Sequence, residues 1–176
     1  MRPFTIVAAA AVTLAVMTAA GLAQAPEDSP SPQLQAQVPS APPYGLPISF
    51  EAAQRAMAAA EVEATKLNAP VVITILDSGG RVVMLHRLDG VQHASIRIAE
   101  GKARTALDFR RSTRDLEDAV ARGGAGLRFL AIEGVTPIEG GVPIIVDGKV
   151  VGAVGVSGIG LGRDGQIAQA AADAAK

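Results

Sequence analysis

The 176-residue sequence has no cysteine and no tryptophan, and only one tyrosine and four phenylalanines. Without thiols there is no disulfide scaffold, zinc ribbon, iron–sulfur cluster or thiol nucleophile. An excess of either charge is missing too. Sixteen basic and 17 acidic side chains leave a net charge of −1, which excludes a globally basic nucleic-acid binder and a polyacidic tail. What remains is 49% hydrophobic content, carried by Ala, Val, Ile and Leu, as in a small α/β domain.

Residues 1–23 have the pattern of a cleavable signal peptide. Arg2 is followed by an uncharged run from Phe4 to Ala20, and the small residues Gly21 and Ala23 suit a cleavage site. No cysteine is present to take a lipid, so the expected location is periplasmic or secreted. Seven of the 11 prolines then fall in residues 24–47, a stretch with too few apolar side chains to offset the entropy of ordering it. It is expected to be a linker, with one folded domain over residues 48–176.

Within that domain Ser49 is placed to cap a helix whose apolar positions (Phe50, Ala53, Met57, Ala60, Ala64, Leu67) repeat at three and four. Val71 to Leu76, the turn Asp77-Ser78-Gly79-Gly80 and Arg81 to Leu88 predict a β-hairpin. A helix over about Gln92 to Phe109 follows, its small residues Ala99, Ala103 and Ala106 suited to lying close on a sheet. A short helix starting at Ser112 or Thr113 comes next. The pattern allows one more strand near Leu127 to Ile132. A second hairpin turns at Asp147-Gly148, and Asp164 is placed to cap a last, alanine-rich helix. The order is α-β-β-α-α-β-β-α, an antiparallel sheet with helices packed on it.

Two motifs fail on context. Gly160-Leu161-Gly162-Arg163-Asp164-Gly165 has dinucleotide-loop spacing, but hairpins do not supply the parallel βαβ unit it requires; backbone amides at that helix start remain open to an anion. Gly155-Val156-Ser157-Gly158-Ile159 has Ile where a nucleophile elbow needs Gly, so serine hydrolysis is not supported.

The chemistry then rests on the two histidines and a basic stretch. His93 falls at the start of the second helix, where partial positive charge favours a neutral imidazole, the form a haem iron needs; His86 lies in the first hairpin. Eight basic residues occupy the 32 positions from Arg97 to Arg128. Arg97, Arg104 and Arg111 recur every seven positions, close to one helical face, and suit a carboxylate-binding edge.

Several segments in order carry a family resemblance: Val72-Ile73-Thr74-Ile75-Leu76-Asp77-Ser78-Gly79-Gly80, Arg87-Leu88-Asp89-Gly90, Ile98-Ala99-Glu100-Gly101-Lys102-Ala103-Arg104-Thr105-Ala106, Gly140-Gly141-Val142-Pro143-Ile144 and Gly152-Ala153-Val154-Gly155-Val156-Ser157-Gly158. Together they resemble the GlcG/HbpS-like haem-binding family, which is related to the C-terminal domain of PduO-type corrinoid adenosyltransferases. The resemblance implies a profilin-like α/β sandwich, assembly into homo-oligomers, and haem b as cofactor. It places a histidine where His93 stands and reduces a Thr-His pair to Thr113-Arg114, leaving only the Thr113 hydroxyl. The adenosyltransferase domain has no counterpart here.

The resulting expectation is an exported, non-enzymatic haem-binding protein for storage, scavenging or sensing. His93 is the leading iron ligand, His86 and Thr113 are weaker ones, and Arg97, Arg104 and Arg111 are propionate partners. Two alternatives stand beside it. One is an enzyme or accessory for a small carboxylate held by Arg97 or Arg104, with Asp77 or Asp89 as base. The other is a ligand-sensing module for a membrane-protein partner.

Overall fold

A computed structural model describes residues 40–160 and 162–176. The proposed signal peptide and most of the proposed linker lie outside the described residues. Among the described residues, four α-helices and four strands follow one another as α1 (Phe50–Lys66), β1 (Val72–Asp77), β2 (Val82–Arg87), α2 (Ala94–Phe109), α3 (Thr113–Ala121), β3 (Gly141–Val146), β4 (Lys149–Ser157) and α4 (Arg163–Ala174). This is the expected order. The strands form one antiparallel sheet in the order β2-β1-β4-β3.

The elements begin and end where local chemistry dictates. Ser49 Oγ accepts the Ala52 N–H and caps α1, and Asn68 turns the chain out at φ 48° before Pro70. The β3–β4 turn places both Asp147 and Gly148 at positive φ, the pairing that matches hairpin twist.

The sheet is covered on both faces, so β1 is buried along nearly its whole length. On one face α1 and α4 pack on Ile73, Ile75, Val154 and Val156. Ala168, Ala171, Ala172 and Ala175 are spent in this core, inside the chain. Phe50, expected among the buried positions of α1, is 60% exposed: it is the first residue of the helix and lies beyond the sheet's cover. On the other face lies α2. Gly155 has no room for a Cβ because the Ala99 carbonyl and Ala103 N–H sit against it, and Gly141 meets the Lys102 carbonyl in the same way. Small residues on both partners bring helix and sheet into backbone contact.

Two expectations are corrected here. Leu127 to Ile132 is not a strand: residues Gly124–Ala131 form a 3₁₀ helix. Gly126 lies against the Ala119 carbonyl of α3, so the segment packs on α3 rather than joining the sheet. The last residues of the expected linker also pack on the domain. Gly45 and Ile48 N–H groups donate to the Val150 and Val151 carbonyls, and Val150 N–H donates to the Pro43 carbonyl. Residues 42–48 thus run beside the start of β4, past the end of β1, where a row of backbone groups needs partners. Among the described residues, no helix is long and apolar enough to cross a membrane.

Candidate functional site

His93 stands immediately before α2, its backbone already helical (φ −60°, ψ −33°), and its side chain caps no amide. The imidazole is exposed. Val91, two residues earlier, is buried with Val72 and Ala99, which pins the approach to the helix. Beside the preceding Asp89-Gly90 turn lies a cleft of about 470 Å³, bounded by Leu88, Pro70 and the end of α1.

His86 is elsewhere. It pairs with Ile73 in the sheet and so faces α1, where its Nδ1 lies 2.6 Å from Glu61 Oε1. Glu61 accepts from Nδ1, and Nε2 is the ring nitrogen left without a partner in that pair. α2, the helix His93 precedes, covers the opposite face, so the two histidines sit on different layers.

The remaining expected site residues are dispersed. Thr113 is fully buried; its hydroxyl accepts the Gly141 N–H at 2.8 Å at the start of β3. Arg104 donates to the Gly80 carbonyl at 2.7 Å and ties α2 to the first hairpin turn. Asp77 Oδ1 accepts the N–H groups of Gly79 and Arg81 in that turn, so it is not placed as a free base. The seven-residue recurrence does not survive to Arg111. α2 ends at Phe109, and Arg110 takes a left-handed conformation at φ 52°. Only Arg97 stands one helical turn from His93. At about 1.5 Å rise per residue, Arg104 lies roughly 16 Å from His93 along the axis and Arg111 beyond the helix end, both farther than half the width of a porphyrin.

A buried polar node was not anticipated. Lys102 Nζ donates to Asp164 Oδ2 and to the Val156 carbonyl, both at 2.9 Å, with the two side chains 2% and 3% exposed. Asp164 Oδ1 accepts the Ile159 N–H. Glu139 Oε1 accepts the Gly165 N–H at 2.6 Å, and Glu117 accepts the Glu139 N–H. Asp164 therefore does not cap α4; Gly162 occupies that position without a side-chain bond. The amides at the start of α4 do not wait for an external anion either, since an internal carboxylate already lies on Gly165. The sequence did hold a signal for Lys102. It shares the helical stripe of Ala99, Ala103 and Ala106, and a charge on a buried stripe requires a partner.

Comparison with known proteins places this architecture. A family described as haem degrading protein HbpS-like matches residues 48–173. The chain belongs to the HbpS-like family. Protein GlcG of Escherichia coli is 41% identical over 110 residues, 62% of this chain and 81% of GlcG. The crystal structure of a PduOC–haem complex superposes with TM-score 0.67 at 32% identity over 73% of this chain and 95% of that one. Crystalline HbpS gives TM-score 0.67 at 29% identity over 78% of this chain and 94% of that one. The full corrinoid adenosyltransferase PduO of Salmonella typhimurium is 33% identical over 70% of this chain, but the match spans only 38% of PduO.

The four-stranded antiparallel sheet with helices on both faces is thus the HbpS-like fold. Residues 42–47, docked on β4, lie outside the span that the family description matches.

Proposed function

We propose that this protein binds haem at the surface through His93, with Arg97 taking a propionate. The carrying observation is an exposed imidazole that caps no helix amide, on a chain whose fold matches a solved haem complex. The donor set fits: the exposed His93 imidazole ahead of α2 would ligate the iron, and the Arg97 guanidinium one turn away would take a propionate. The cleft beside Asp89-Gly90 offers Leu88 and Pro70 as apolar surface, although neither His93 nor Arg97 lines it. His86 is the second candidate ligand, already oriented by Glu61. Thr113 is a poor one, because its hydroxyl is held by Gly141. Bound haem would supply iron for storage, sensing or redox chemistry.

The reading includes export, supported by the pattern of residues 1–23. It includes self-association, supported by Leu127, Leu130, Ile132 and Ile138, which are 47–62% exposed on neighbouring stretches of chain. The test is haemin titration followed by absorbance. A saturable Soret band is expected, shifted or lost in His93→Ala. An unchanged spectrum in that variant removes His93 from the site.

The family's description as haem degrading favours a second reading, in which the bound haem is consumed. A Soret band that persists under reductant and air speaks for holding; one that decays to an open-chain tetrapyrrole speaks for degradation.

A further inference from the structure

At the far end of α2 from His93, about 24 Å along its axis, a cleft of about 340 Å³ opens between the α2–α3 connection, the free edge of β3 and α4. We propose that it binds a small organic monoanion with a short apolar tail. Its volume sits at the lower end of ligand-binding cavities. The floor is apolar, made by Val142, Pro143 and Ile145 of β3 and by Ala172 of α4, and the rim carries Arg110, Arg111 and Lys176.

These cations are not equivalent. Arg110 is spent on the chain itself: it donates to the Pro42 carbonyl at 3.2 Å and stacks over the Tyr44 ring at 5.3 Å. Lys176 is paired with Asp173 at 2.7 Å. Arg111 stands exposed, its carbon 5.9 Å from the Phe109 ring centre, and belongs to none of the ion pairs among the described residues. Its backbone is pinned, because its N–H donates to the Ala106 carbonyl behind the left-handed Arg110. From this fixed backbone the guanidinium offers a two-pronged donor to a carboxylate. Asp115 on the same rim, with Asp173 already offset by Lys176, disfavours a second negative charge, which selects a monoanion.

One wall is Pro42, held by Arg110 and by the strap of residues 42–48. Tyr44 Oη donates to the Leu107 carbonyl at 3.0 Å and fixes that strap to the end of α2. Pro42 and Lys176 lie outside the family-matched span, and the rest of the lining lies within it.

The test uses full-length protein and hexanoate, followed by amide chemical shifts, with hexan-1-ol and hexylammonium as controls. Saturable shifts are expected at Arg111, Val142, Ile145 and Ala172 with hexanoate alone. Arg111→Gln is expected to weaken binding at least about tenfold, because it removes a charge-assisted pair. Tyr44→Phe, which only loosens the strap, is expected to weaken it less while the spectrum stays folded. The proposal is overturned if shifts are linear in concentration, if hexan-1-ol reproduces them, if they map to His93 and Arg97, or if Arg111→Gln binds as wild type. Haemin binding at His93 is read separately by absorbance, so either reading fails without the other.

Discussion

Lys102 on α2 and Asp164 on α4 meet at 2.9 Å although their helices cover opposite faces of the sheet. The lysine reaches across beneath Gly140, where any Cβ would lie 2.8 Å from Nζ. This pair bolts the two helical layers together at one corner of the domain. Removing one partner leaves a buried, uncompensated charge. Lys102→Met or Asp164→Leu is therefore expected to cost about 3–5 kcal/mol, and the double variant far less than the sum. Urea unfolding of the three variants measures the cycle; additive losses would show that the pair is not coupled.

Gly155 is where α2 rests on the sheet. Gly155→Ala puts a methyl into the Ala99 carbonyl and the Ala103 amide, so the helix must lift, at about 1–3 kcal/mol or more. Gly148→Asn is the contrast, since the turn has open space and Asn tolerates positive φ. The first is expected to unfold at clearly lower urea concentration, the second near wild type.

Thr74 Oγ1 and Ser95 Oγ are buried without a hydrogen-bond partner among the described residues. Thr74 lies on β1 and Ser95 on α2, which packs against that strand. Thr74→Val keeps the shape and removes an unpaid desolvation penalty, so it is expected to stabilise the fold by about 1 kcal/mol. Destabilisation measured by thermal melting would mean that the hydroxyl holds a water or ligand.

Asp173 and Glu63 have carboxyls held below the usual range, Asp173 by hydrogen bonds from Lys176 and then Gln169, Glu63 by hydrogen bonds from Lys66 and then Gln166. A carboxyl with a depressed folded-state pKa stabilises the fold above its unfolded value, and that stability is lost as pH falls through the folded pKa. The window is below about pH 4. Asp173→Asn and Glu63→Gln are each expected to flatten the acid limb of a stability–pH curve, slightly for the exposed Asp173 and more for Glu63, whose side chain is 15% exposed. No change above pH 5 is expected.

His86 and His93 separate by context. His86→Gln loses a pair with Glu61 in which both side chains are about 40% exposed, so unfolding free energy is expected to fall by under about 1 kcal/mol. Its Soret band on haemin addition is expected to match wild type, whereas His93→Ala is expected to lose it. The reverse pattern would move the proposed ligand to the α1 face.

The elements were legible because their signals are local. Ser49 before an alternating three–four apolar pattern, Asp147-Gly148 between β-branched runs, and Ala99, Ala103 and Ala106 on one stripe each depend on neighbours within a few residues. The antiparallel sheet followed from its two hairpins. What misled were positions whose local options were balanced. Leu127 to Ile132 has strand composition, yet it packs on α3 through Gly126, and Asp164 has capping chemistry that a distant lysine claims instead.

Composition, order of elements, fold class and the place of His93 at a helix start were therefore determined by sequence alone, since short-range sterics and periodicity govern them. Tertiary structure alone decided which charges are buried, which arginines are already occupied, and that His86 and His93 lie on different layers. Those outcomes depend on contacts between residues 20 to 70 positions apart, such as Lys102 with Asp164, Arg104 with Gly80 and Arg110 with Pro42. No pattern along the chain encodes such distances; they appear only when the layers close and each polar group must find a partner or water.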